Sequence, residues 1–114
     1  MNKTDKIIAA SAIAGLDVVV GEKETMTESA VTTILIYDKP CLILDRAKEE
    51  ITICHNTKCS RKSSRLMNSV LELIAGARVE NHHGRWFIKR TETSKLEQFF
   101  DDIVITTKKG MLIK

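Results

Sequence analysis

Cationic side chains are unevenly distributed along this chain. Residues 58–90 hold eight basic groups and two acidic ones, giving +6, whereas residues 1–28 sum to −2, residues 29–57 to −1 and residues 91–114 to zero. A field concentrated in one third of a sequence points to an anionic partner more directly than the net charge of +3 does. Lys58, Arg61, Lys62 and Arg65 lie beside Ser60, Ser63 and Ser64 at the start of an amphipathic run. Unpaired N–H groups at a helix start attract phosphate, and added lysine and arginine reinforce this electrostatically. A second group, Arg78, Arg85, Lys89 and Arg90, surrounds Phe87 and His82, whose rings are candidate stacking surfaces for bases. The candidate nucleic-acid site is therefore Lys58, Arg61, Lys62, Arg65, Arg78, Arg85, Phe87, Lys89 and Arg90, provided the two segments pack side by side. No helix-turn-helix, zinc-finger or RNA-recognition signature accompanies them.

Other chemistry is less well supported. Cys54, His55 and Cys59 cluster in sequence, and His82-His83 follow at a distance. The spacing lacks a C-x₂-C pair, so no metal site is expected, although their approach in space is not readable from the sequence. Cys54 on a strand reads as a small buried hydrophobe. Ser63 and Ser64 read as helix caps, and Glu49-Glu50 and Asp101-Asp102 as solvated charge. Phosphate-loop and dinucleotide glycine patterns are absent. The expectation is no catalytic residue, no cofactor and no enzyme, with a Cys/His catalytic centre as the remote alternative.

Composition places the chain among ordinary globular domains: 114 residues, 43% hydrophobic and 29% charged, with five glycines and one proline. Three cysteines, an odd number, argue against a secreted disulfide scaffold and for a reducing cytoplasm. No apolar run approaches the ~20 residues that span a bilayer. Lys6–Leu16 has the outline of a signal peptide, but Asp5 and a thin apolar stretch favour a helix packed on the domain.

The elements that must position the basic groups follow from pattern. Residues 4–16 predict a helix capped by Thr4 or Asp5 and ended by Gly15, with Ile7, Ala10, Ala14 and Ile13 as its apolar stripe. Val18–Val20 predict a short strand, followed by a loop to residue 28. Residues 31–37, 41–45 and 51–55 predict an antiparallel meander, with a turn at Asp38-Lys39-Pro40 and a charged turn over Arg46–Glu50. Residues 60–75 predict the main helix, capped by Ser60 or Ser63 and ended by Gly76. Its apolar face is Leu66, Met67, Val70, Leu71, Leu73 and Ile74. Residues 77–90 predict a hairpin looped at His83-Gly84, with Val79 opposite Ile88 and Asn81 opposite Trp86. A short helix over 94–101, capped by Ser94 and anchored by Leu96, Phe99 and Phe100, precedes a closing hairpin of 103–106 and 111–113.

A strand pair (TTILIYDKPCLIL), a third strand (ITICHN), a serine-rich basic helix start (CSRKSSRLMNSVLELI) and a tryptophan-bearing hairpin (GRWFIKR) follow one another. Over residues 31–90 this order resembles a class of small bacteriophage-encoded proteins of unknown function. The resemblance implies a small accessory protein acting on a host process. It supplies no catalytic residues, and the N-terminal helix and cysteines have no counterpart in it.

The sequence thus predicts a single α+β domain: an antiparallel sheet with the 60–75 helix on one face, an N-terminal helix and a C-terminal hairpin. The expected partner is DNA or RNA. The alternative is a host protein or defence complex that the chain inhibits or modulates. Pairing of an exposed strand edge would give a homodimer.

Overall fold

A computed structural model of the chain describes residues 2–55, 61–93 and 95–108. Helix α1 (Lys3–Ala14) leads into strands β1 (Val18–Val20), β2 (Lys23–Glu28), β3 (Val31–Ile36), β4 (Lys39–Asp45) and β5 (Glu50–Ile53). Helix α2 (Arg61–Ile74) follows, then β6 (Ala77–His82), β7 (Arg85–Arg90), β8 (Leu96–Gln98) and β9 (Ile103–Thr106). The class is α+β. A six-stranded antiparallel sheet has the order β1-β2-β3-β4-β5-β9, and a three-stranded one the order β6-β7-β8. The core lies between the inner face of the large sheet, both helices and the inner face of the small sheet. Ile34, Leu42, Leu44, Ile51 and Ile53 meet Ile8 and Ala12 of α1, Leu66, Met67, Val70 and Leu71 of α2, and Val79, Trp86 and Ile88 of the hairpin.

The meander, the main helix and the hairpin lie where the pattern places them, and the hairpin register has Val79 opposite Ile88 and Asn81 opposite Trp86. His83 and Gly84 both adopt positive φ, at 55° and 80°, which gives the type I′ loop whose twist suits a two-residue connection.

Other expectations are corrected. The cap of α1 is Asn2, whose Oδ1 accepts from the Asp5 N–H at 2.8 Å, not Thr4 or Asp5. Its buried stripe is Asp5, Ile8, Ala9 and Ala12, while Ile7, Ala10 and Ala14 face out. An alanine-rich helix has little intrinsic side preference, so polar contacts set its rotation. Lys23 Nζ lies 2.5 Å from Asp5 Oδ1, and both residues are buried, at 5% and 0% exposure. That pair also explains why residues 23–28 form a strand, not a loop. Lys23 and Thr25 point inward to polar partners, Thr25 Oγ1 donating to the Leu16 carbonyl at 2.6 Å.

The β3–β4 turn is Tyr37-Asp38, with φ of 50° and 62°, so Lys39 and Pro40 belong to β4. Register slips there: Ile34 faces Leu42 and Leu35 faces Pro40, leaving Cys41 as the extra residue of a bulge that turns both Cys41 and Leu42 inward. Arg46, expected in a charged turn, is buried. Its guanidinium donates to Thr32 Oγ1 at 2.6 Å and to the Ala12 carbonyl at the end of α1. Burial draws its pKa below the ordinary guanidinium value. Gly15 ends α1 with φ 74°, and a Cβ there would come within 3.2 Å of that guanidinium.

Leu73 is 48% exposed and does not join the face of α2. Residues 96–98 form strand β8, not a helix, because the open edge of β7 offers them a ladder. Phe99 alone of the three expected anchors is buried, stacked on Trp86 with ring centres 6.4 Å apart, while Leu96 and Phe100 are exposed. Strand β9 pairs with β5. The caps read at Ser60 and Ser94 and the strand read at 111–113 lie outside the described residues.

Replacing Lys23 with alanine leaves the Asp5 carboxylate buried without its cation. The expected loss is about 3–5 kcal/mol in urea unfolding, whereas an Asp5→Leu/Lys23→Met double variant recovers most of it. A double variant as unstable as the single one would show that the pair is not what positions α1.

Candidate nucleic-acid interface

Helix α2 buries Leu66, Met67, Val70, Leu71 and Ile74, which leaves Arg61, Ser64, Arg65, Asn68 and Glu72 on a polar stripe at three- and four-residue spacing. That stripe faces the edge of β6. The two-residue loop closes on His82 and Arg85, so backbone groups of His82, Glu80 and Arg78 engage β7, and those of Asn81 and Val79 point away from it. Asn68 fills the place of a missing strand at Val79. Its Oδ1 accepts from the Val79 N–H at 2.7 Å and its Nδ2 donates to the Val79 carbonyl at 3.0 Å. Helix and hairpin are thereby fixed side by side.

Between them runs a groove of about 700 Å³, lined by Arg61, Arg65 and Arg78 together with Asn68, Asn81 and His82. Two glutamates also line it, and each has a partner: Arg78 Nη1 lies 3.3 Å from Glu72 Oε1, and His82 Nε2 lies 3.3 Å from Glu80 Oε1. The Ser69 hydroxyl donates to the Arg65 carbonyl at 2.8 Å. Arg61 and Arg65 make no ion pair among the described residues.

The groove continues onto the outer face of the small sheet. Arg78 lies opposite Lys89, Glu80 opposite Phe87 and His82 opposite Arg85, so these six share one face. The His82 and Phe87 rings meet edge-on at 5.4 Å. Strand β8 adds Leu96 beside Lys89 and Gln98 beside Phe87.

Of the residues singled out in the sequence, Arg61, Arg65 and Arg78 come together in the groove, and Arg78, Arg85, Phe87 and Lys89 on the adjoining face. Arg90 lies opposite Ala77 and so belongs to the other face of the hairpin. Lys62 leaves the group. Its Nζ is 3.1 Å from Glu22 Oε1 and 3.5 Å from Tyr37 Oη. Those contacts raise the Lys62 pKa, chiefly through Glu22; Glu22 is itself lowered by a backbone hydrogen bond and by Lys62. Lys58 lies outside the described residues. Asn68 and Asn81 were not singled out; the signal for Asn68 was its place on the stripe of Arg61 and Arg65, seven and three residues on.

The Cys/His reading gains nothing from the fold. Cys41 and Cys54 are buried neighbours, the Cys54 N–H donating to the Cys41 carbonyl at 3.0 Å. Burial pushes the Cys41 thiol to about 12, and burial with the Asp102 charge pushes Cys54 to about 11, so neither is a thiolate at neutral pH. His55 packs against Phe99 while His82 packs against Phe87. Among the described residues no three His, Cys, Asp or Glu side chains converge to hold a metal ion, and no helix is long and apolar enough to cross a membrane. Cys59 lies outside the described residues.

No protein-family model, curated protein or solved structure matches the chain.

Asn68→Ala strips both Val79 backbone groups of their partner and is expected to cost roughly 1–3 kcal/mol in urea unfolding; an unchanged midpoint would mean that the helix and hairpin are held otherwise. Cys41 and Cys54 are expected to resist iodoacetamide at about pH 8 in the folded protein and to react in urea, as read by peptide mass mapping. Native labelling at either site would return a cysteine nucleophile to consideration.

Proposed function

We propose that this chain is a non-enzymatic binding protein that engages nucleic acid across the α2–β6 groove and the outer face of the small sheet. The observation that carries this reading is contiguity. Arg61 and Arg65, which form no ion pair among the described residues, open through Arg78 onto a face that holds Arg85, Lys89 and the Phe87–His82 ring pair. Cations along a groove supply sequence-independent attraction to phosphates, and an adjoining aromatic gives unpaired bases a surface to stack on. The sheet face with its single ring pair suits a single strand better than a duplex. Lys62 contributes little, because it turns to Glu22, and neither residue lines the groove.

Fluorescence anisotropy with labelled single- and double-stranded DNA and RNA tests this. Binding is expected to weaken steeply between about 50 and 200 mM salt, with a log–log slope of roughly −2 to −4 for three to five phosphate contacts. Phe87→Ala is expected to weaken single-strand binding by roughly 5- to 100-fold, the effect of one lost stack. Arg61→Ala/Arg65→Ala should lower affinity for every strand, and Lys62→Ala should leave it nearly unchanged. Absence of binding at low salt, or binding indifferent to Arg61 and Arg65, would overturn the assignment.

A further inference from the structure

The groove carries three arginines against two glutamates. One oxygen of Glu72 meets Arg78, and one oxygen of Glu80 meets His82. Asn68 is used on both sides by Val79. Arg61 and Arg65 present two guanidinium groups four residues apart on one helix face, neither in an ion pair among the described residues. Asn81 lies on the opposite wall with its backbone groups turned out of the ladder. Its side-chain Oδ1 accepts from the Gly84 N–H at 3.2 Å, and its Nδ2 is buried with no partner among the described residues. Behind it, the cross-strand neighbour Trp86 is 2% exposed, and its Nε1–H is a second buried donor without an acceptor among the described residues. Buried donors are nearly always satisfied in folded proteins, because an unmade hydrogen bond costs the desolvation of the group. Of these two donors Asn81 lines the same groove as the two guanidinium groups, and guanidinium and amide N–H groups together suit an oxyanion.

We propose that the α2–β6 groove is a discrete seat for one phosphoryl group of a nucleotide-sized ligand, held between Arg61 and Arg65 on one wall and Asn81 on the other. The groove's volume of about 700 Å³ falls in the range of small-molecule sites, well above what a bare phosphate fills. The proposal rests on the nucleic-acid reading for the source of the phosphate. It goes further in making the contact a defined pocket, not a diffuse cationic field. A strand would then be gripped at one phosphate, a terminal one most readily, while its neighbouring base reaches the Phe87 face. A free nucleotide carries the same chemistry.

The test is NMR titration of the ¹⁵N-labelled protein with inorganic phosphate, with adenosine monophosphate, and with a short single-stranded oligonucleotide with and without a 5′-phosphate. Saturable shifts are expected at the Asn81 side-chain amide and the Arg61 and Arg65 Nε–H groups, with the nucleotide tighter than phosphate and the 5′-phosphorylated strand tighter than its unphosphorylated form. Asn81→Asp keeps the acceptor for Gly84 and replaces the donor by an anion; it should weaken the nucleotide by about tenfold or more. Arg61→Gln/Arg65→Gln changes only exposed side chains and should have the same effect without moving the urea midpoint. Linear, unsaturating shifts, or equal responses to phosphate and to chloride at matched ionic strength, would overturn the proposal. Oligonucleotide binding that survives Asn81→Asp unchanged would overturn the pocket and leave the nucleic-acid reading standing. Saturable nucleotide binding with no oligonucleotide binding would support the pocket and remove the strand as its source.

Discussion

Lys23 and Arg46 are buried cations that hold helix α1 against the large sheet from opposite ends. Near the start of the helix, Lys23 of β2 reaches the Asp5 carboxylate. In its last turn, the Ala12 carbonyl accepts from Arg46, which also donates to Thr32, whose hydroxyl lies 2.8 Å from that of Thr27. The apolar hold on the helix is modest: its fully buried apolar side chains are Ile8, Ala9 and Ala12, with Ile13 packed at the edge of the core. If α1 were released, the inner faces of β2 and β3 would meet water, and α2 would lose the neighbour against which it packs. The second Asp5 oxygen has no partner among the described residues, so the ion pair is an under-satisfied one. Its strength lies in what breaking it exposes: a buried charge with nothing to compensate it.

The same logic, a polar side chain substituting for missing backbone, builds the candidate interface. An edge strand presents unpaired N–H and C=O groups, and those of Val79 would otherwise face solvent or a foreign strand. The Asn68 carboxamide has one donor and one acceptor at the spacing of a strand neighbour, so it closes that edge and sets how near α2 lies to β6. The groove is the space beyond this closure. It is polar because the apolar residues of α2 are spent on the core, and cationic because its three arginines outnumber its two glutamates.

Much of this architecture was legible in the chain. The 31–55 meander, the main helix and the register of the 77–90 hairpin follow from period-2 and period-3.6 patterning and from one positive-φ loop. Where patterning was weak, the sequence misled. The stripe of α1 was misphased because alanine distinguishes poorly between faces. Strand β2 reads as a loop because its inward residues, Lys23 and Thr25, are polar and find partners far away in sequence. Residues 96–98 lack any strand signal and are ordered by the open edge of β7.

The sequence by itself determined the class of the fold, the elements that carry the positive charge and the identity of most candidate contact residues, since these depend on local periodicity and on composition. Only the tertiary structure decided which of those residues lie together. It joined Arg61 and Arg65 to Arg78, turned Lys62 toward Glu22, set Arg90 on the opposite face and brought Asn68 and Asn81 into the groove. Charge pairing and the satisfaction of buried donors are long-range properties, fixed by which surfaces meet.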